Sequence, residues 1–346
     1  MRHVSGRVAG GYSESGDTCA WLVSAFYREF SSTAVPLFVM ISGALLLQRR
    51  DEPLPFYRKR FGKVLTPFLA WSCIYIICYW LIGHTLADGT SITLSSSVGA
   101  ILSGNVSTHL WFMYIIMALY LVAPFLAVFV HNASKNMLFI FLVLWLFSAV
   151  VFPVINDVAK GMLDIENIAN VHFRFELVPA CVGLFIAGYV LSKYPLSKRQ
   201  MAITFTLWFF FSVAKPINVY LRTTSSDSTV VSLCNFLGSY VFSIVSHRVV
   251  LALPAFMFLR SLGDIPSLAY SRFSRIISAI VPLSFGIYLS HYLLVRPGML
   301  ALNLWTCESW LVVLFAVPIL TILFYLATGG MVYLIRTIRH LRFLVP

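Results

Sequence analysis

Apolar residues in this chain fall in long unbroken runs, with polar residues gathered between them. Nine runs stand out, at 33–48, 64–83, 110–130, 137–155, 176–191, 201–219, 238–259, 276–294 and 310–335. Each is close to the ~20 residues that a helix needs to cross a bilayer core. Backbone groups in lipid must bond within their own segment, so the runs predict helices and not an open sheet. The expected fold class is all-α: a polytopic membrane helix bundle with nine visible transmembrane helices. No connecting segment exceeds about 26 residues. That leaves no room for a soluble catalytic domain, and residues 1–346 read as one integral-membrane domain. No internal repeat or heptad seam interrupts this pattern.

The polar segments alternate in charge. QRRDEPLPFYRKRFGK (48–63) carries six basic residues, whereas the stretch from His84 to His109 carries none. The segments 192–200, 260–275 and 336–342 carry three each, and with Lys135 this set holds 16 of the 25 Lys and Arg residues. Basic residues mark the cytoplasmic side. Residues 49–63 and the C-terminal tail are therefore expected inside, and residues 1–32 outside. The chain is expected to be a multi-pass membrane protein with a cytoplasmic C-terminus.

Composition narrows the reading further. Hydrophobic residues are 59% of the chain and charged residues 11%, against about 25% charged in soluble domains. A single water-soluble core is excluded. The net charge of +12 is accounted for by orientation in the membrane, so no nucleic-acid partner is expected. Six cysteines include no CxxC pair and no metal-ligand spacing. Cys73, Cys78 and Cys181 are expected to pack within spans. Cys19, Cys234 and Cys307 fall near the outer face, where a disulfide between two of them stays open.

Several polar residues interrupt the apolar runs. Ser42–Gly43 in VPLFVMISGALLL lets another helix approach closely. Arg58, Lys59, Arg60 and Lys63 precede the second run. They serve topology and lipid headgroups, or a phosphorylated donor, since guanidinium pairs well with phosphate. HLWFMYIIMALYLVAP opens with His109 and Trp111 at the outer interface, where Trp is a usual membrane-belt residue. SFGIYLSHYLL puts His291 near the outer end of its run, with Tyr288 one turn earlier. Taken one by one, each histidine is better explained by structure than by chemistry; together they share one side of the membrane. His247–Arg248 stands well inside a run, where an ionisable group is costly and points to function or to an acidic partner. Lys215 is close enough to an outer end to snorkel. No Gly-rich phosphate loop, HExxH or GxSxG motif is present.

In this order, VPLFVMISG, YRKRFGKVLTPFLAW, HLWFMYIIMALYLVAP and FGIYLSH resemble the acyltransferase-3 family of membrane O-acyltransferases over nearly the whole chain. The resemblance implies ten helices, one more than is visible. It also implies a first helix carrying an Arg, ten intervening residues and a His. His3 stands where that His is expected, and the motif's Arg has no counterpart. By this resemblance the chain begins at the outer end of a first helix whose body is absent, through a misplaced start codon or a truncated gene, and is expected to be weak or inactive as written.

The implied reaction moves an acetyl group from cytoplasmic acetyl-CoA, a co-substrate and not a bound cofactor, to a hydroxyl of a glycan or lipid-linked saccharide. His3 takes the family's catalytic role. Arg58, Arg60 and Lys63 take the donor; the family's Arg-x-x-Arg element is matched most nearly by Arg60-Phe-Gly-Lys63. Ser42, His109, Trp111, Arg248, Tyr288 and His291 are candidates for the acceptor site or the acyl path. Membrane lipids complete the expected partners. A glycolipid flippase and an inactive truncated family member are the competing readings.

Overall fold

The structure is a computed structural model of the 346-residue chain. It describes residues 18–151, 155, 180–225, 227–238, 248–269, 271–301 and 309–346. Among these the regular elements are all helical. In chain order they are α1 (Thr18–Ser32), α2 (Ala34–Leu46), α3 (Pro53–Leu81), α4 (Leu94–Ser103), α5 (Trp111–Asn132), α6 (Lys135–Leu146) and α7 (Ala180–Ser192). Then come α8 (Lys198–Thr224), α9 (Ser228–Phe236), α10 (Arg248–Leu262), α11 (Arg272–Ile280), α12 (Ser284–Ala301) and α13 (Trp310–Thr337).

Each of the nine expected runs overlaps helix among the described residues. Among the described residues, six helical stretches are long and apolar enough to cross a membrane: Thr18–Leu46, Pro53–Leu81, Trp111–Asn132, Lys198–Arg222, Ser274–Gly298 and Trp310–Thr337. The runs at 137–155, 176–191 and 238–259 carry shorter described helices. This is a multi-pass membrane helix bundle.

The chain divides into two compact units and passes back and forth between them. Unit one holds residues 1–50, 125–269 and 307–314; unit two holds 51–124, 270–306 and 315–346.

Unit one is built on close backbone approach. A Cβ on Gly43 of α2 would lie 1.8 Å from the Phe185 carbonyl oxygen of α7, and one on Gly188 would lie 1.9 Å from the Met40 oxygen. Only glycine admits this crossing, which is the packing role expected at Ser42–Gly43. The same unit departs from the sequence pattern at its start. Arg28 and Glu29 break the apolar run, so residues 18–32 read as an outer segment. They instead form α1, which joins α2 through Thr33 to give the 29-residue stretch Thr18–Leu46. The charge break is resolved by a partner far along the chain: Lys215 of α8 meets Glu29 at 3.0 Å. Lys215 was expected to snorkel; an acid within reach offers its ammonium a closer counter-charge. One residue on, Phe30 stacks on Trp208 with ring centres 4.4 Å apart.

Unit two is built along α3, which starts with Pro53 in its first turn after Glu52. Val64, Phe68, Trp71, Tyr75 and Tyr79 are buried. Their spacing of three and four residues makes one helical face. The tail returns to this face: the Trp71 Nε1–H donates to the Leu344 carbonyl at 3.0 Å, and Val345 is buried. The stretch 84–109, which carries no Lys or Arg, was read as a loop, yet it holds α4. Thr93 and Ser96 form a capping box at its start, and Gly104 closes it at φ 82°. Ten residues are too few to cross a bilayer. Beside it, the Thr90 N–H and hydroxyl bond the Asp88 carboxylate at 3.0 and 2.7 Å and hold its pKa below the usual value.

Candidate active site

Three segments of unit two converge. The last turns of α3 supply Tyr75 and Tyr79. The turn ahead of α5 supplies Ser107 and His109. Helix α12 supplies Tyr288, His291, Tyr292 and Arg296, which share one face because they lie three, four and eight residues after the first.

His109 is the centre of this cluster. It is 4% exposed. Its ring centre lies 4.9 Å from that of His291, 5.3 Å from Tyr75, 5.4 Å from Tyr292 and 5.7 Å from Tyr288. The Nε2 atom stands 3.3 Å from the Leu289 carbonyl oxygen, and Nδ1 stands 3.2 Å from Ser107 Oγ. A carbonyl oxygen only accepts, so Nε2 carries a proton, and when the ring is neutral Nδ1 is the acceptor for the serine hydroxyl. By the same logic His291, with Nδ1 2.8 Å from the Tyr288 carbonyl, is protonated at Nδ1.

Hydroxyl groups fix the surroundings. Tyr75 donates to the Leu289 carbonyl at 2.9 Å, and Tyr288 donates to the His109 carbonyl. Tyr79 and Ser107 share a hydrogen bond of 3.0 Å. The Arg296 guanidinium lies 5.5 Å from the centre of the Tyr79 ring, on the same side of the cluster. Such a pocket can hold an imidazole in one tautomer, receive a proton from a hydroxyl and offer a cation to a developing negative charge.

The structure thus brings together His109, Tyr288 and His291. Trp111 is left out: it is 39% exposed, with Phe112 as its ring neighbour. Arg58, Arg60 and Lys63 lie at the opposite end of α3. Arg58 and Lys63 are exposed. Arg60 is half-buried, its guanidinium 5.7 Å from the Phe56 ring centre, with a buried Nε that has no partner among the described residues. Ser42 is half-buried in α2 of unit one. Arg248 opens α10, and nothing of its side chain is described. His3 lies outside the described residues.

Sequence reasoning missed Ser107, Tyr75, Tyr79, Tyr292 and Arg296. Two signals were present. Ser107 stands two residues before His109, and the apolar face of α3 ends in two tyrosines four residues apart. Neither signal names a partner, because the partners are on other helices.

Unit one offers a different kind of site. A cavity of about 320 Å³ is lined by Leu138, Leu142, Trp145, Ala187, Leu253 and Met257, with Lys135 at its edge. It is apolar and brings no general base. The described residues hold no group of three or more His, Cys, Asp or Glu side chains suited to a metal ion.

The model of an acyltransferase domain, that of the acyltransferase-3 family, matches residues 8–329. The chain therefore belongs to the acyltransferase-3 family and is a membrane acyltransferase. No curated protein and no solved structure matches it.

Proposed function

We propose that this chain moves an acetyl group from cytoplasmic acetyl-CoA to a hydroxyl of a cell-surface or lipid-linked glycan. One observation carries the reading. A single helix, α3, has cations in its first turns and the imidazole–tyrosine cluster at its last. At about 1.5 Å per residue, roughly 28 Å separates Arg60 from Tyr79, close to the ~30 Å hydrocarbon thickness of a bilayer. The charge alternation of the loops assigns the cationic end to the cytoplasm and the cluster to the outer side.

The donor's phosphates are taken by Arg58, Arg60 and Lys63, and guanidinium gives Arg60 the planar fork that phosphate oxygens fit. The acceptor is a sugar hydroxyl, which is a poor nucleophile at neutral pH and needs a base. His3 holds the family's position for that base. Among the described residues, His109 and His291 are the imidazoles packed within the cluster at the acceptor end, and His84 lies beside it, its ring centre 6.2 Å from that of Tyr79. Tyr288 and Tyr292 give this end the aromatic walls on which a sugar ring can stack. Ser42 and Arg248 belong to unit one and stay candidates for the acyl path. The reading includes a bacterial inner membrane and a cytoplasmic C-terminus.

Membranes containing the protein are to be incubated with [14C]acetyl-CoA and the glycan fraction treated with mild base. Ester-linked acetate released by base is the expected result. Glycolipid crossing the membrane without any acetate uptake would make the protein a flippase. Reporter fusions placing residues 49–63 and His109 on one side of the membrane would also end the reading.

A further inference from the structure

Three hydrogen bonds in unit two form a directed chain. Tyr79 OH meets Ser107 Oγ at 3.0 Å, Ser107 Oγ meets His109 Nδ1 at 3.2 Å, and His109 Nε2 meets the Leu289 carbonyl at 3.3 Å. The carbonyl fixes the last link: it puts a proton on Nε2, and in the neutral ring, the form a base requires, that leaves Nδ1 as the acceptor. The serine must then donate to Nδ1, and Tyr79 must donate to the serine oxygen. This is the arrangement of an activated nucleophile: a hydroxyl, a base within hydrogen-bond reach, and a third group that orients the base.

We propose that Ser107 is an acyl-carrying nucleophile and that the transfer runs in two half-reactions through a Ser107 ester. The inference rests on the acetyl-transfer reading above. In the first half-reaction Ser107 Oγ attacks the thioester carbonyl of acetyl-CoA. The Oγ–C bond forms, the C–S bond breaks, and the serine proton passes to His109 Nδ1 and on to the leaving sulfur, so CoA departs as a thiol. In the second, the acceptor hydroxyl attacks the ester carbonyl. The new O–C bond forms, the Oγ–C bond breaks, and the acceptor's proton passes through His109 Nδ1 back to Ser107 Oγ. His109 ends as it began, and nothing is oxidised or reduced. Tyr79 steadies the serine oxygen as it departs, and Arg296 beside Tyr79 supplies a cation to the oxyanion.

The burial of the pair fits this role. Ser107 is 2% exposed, so an ester formed there is screened from water while CoA leaves and the acceptor arrives. A covalent carrier also spares a charged donor and a glycan from occupying the site together.

The test uses the purified full chain with [14C]acetyl-CoA and no acceptor, quenched in acid. Label approaching one acetyl per chain, resistant to neutral but released by alkaline hydroxylamine and located at Ser107 by mass spectrometry, is expected. Adding lipid-linked oligosaccharide from the same cells should chase it off. Ser107→Ala should carry no label and lose transfer by at least about a hundredfold. Ser107→Cys guards against a folding defect: with wild-type elution on gel filtration, it should carry acetyl as a thioester that dithiothreitol removes. Two results overturn the proposal: glycan acetylation by the wild type with no label at residue 107, or Ser107→Ala keeping more than a tenth of wild-type transfer. Both leave the acetyl-transfer reading standing. Label at Ser107 that no saccharide removes would instead support the ester and sink the glycan acceptor.

Discussion

The two ends of α3 contain the same helix in opposite surroundings. At its start Arg58 and Lys63 are exposed and Arg60 is half-buried. At its end Tyr75 and Tyr79 are buried, and their hydroxyls are committed to Leu289 and Ser107. Charged groups in water are cheap to hold ready and can grip a mobile polyanion. Neutral hydroxyls and imidazoles tolerate burial because each finds a partner. Under the proposed function, this difference divides gripping a charged donor from directing a proton along one rigid element.

The comparison can be broken most severely at the buried end. His109→Ala should lower the rate of acetyl transfer by about 10²–10⁴-fold, with KM for acetyl-CoA little changed, in a steady-state assay on membranes. Activity within a few-fold of wild type would remove the buried end from the chemistry. At the exposed end, replacing Arg58, Arg60 and Lys63 together by Ala should raise KM for acetyl-CoA by about ten- to a hundredfold, the equivalent of ~1.5–3 kcal/mol for charge-assisted bonds. The rate at saturation should hold. Added salt should weaken donor binding in the wild type more than in the triple variant; equal salt slopes would refute the phosphate grip.

Smaller effects sharpen the boundary. Tyr79→Phe removes one neutral hydrogen bond to Ser107, so a three- to tenfold fall in rate is expected, with no change in donor KM. Trp111→Phe should leave the rate within about twofold, because Trp111 is exposed and outside the cluster. A larger loss at Trp111 would extend the acceptor end beyond the packed rings.

Much of the helix layout was legible because lipid leaves the backbone few choices. The apolar runs located helices from 33–48 to 310–335. They failed at α1, where Arg28 and Glu29 end the hydrophobic pattern, because the Glu29–Lys215 pairing joins residues remote in sequence. They failed again at α4, whose Thr93–Ser96 cap and Gly104 close are local signals weaker than its polar composition. At the site, His109, Tyr288 and His291 were visible as polar exceptions in apolar runs. Ser107 and Arg296 were not, since a serine before a helix and an arginine near a helix end are ordinary.

The sequence by itself determined that this chain crosses the membrane many times, which loops carry the cations, and which polar residues interrupt the apolar segments. Those follow from composition and order along one dimension. Only the tertiary structure decided that Tyr79, Ser107, His109 and the Leu289 carbonyl form one hydrogen-bonded line. The reason is geometric: hydrogen bonds act over about 3 Å, and the atoms concerned come from three segments that only packing brings together.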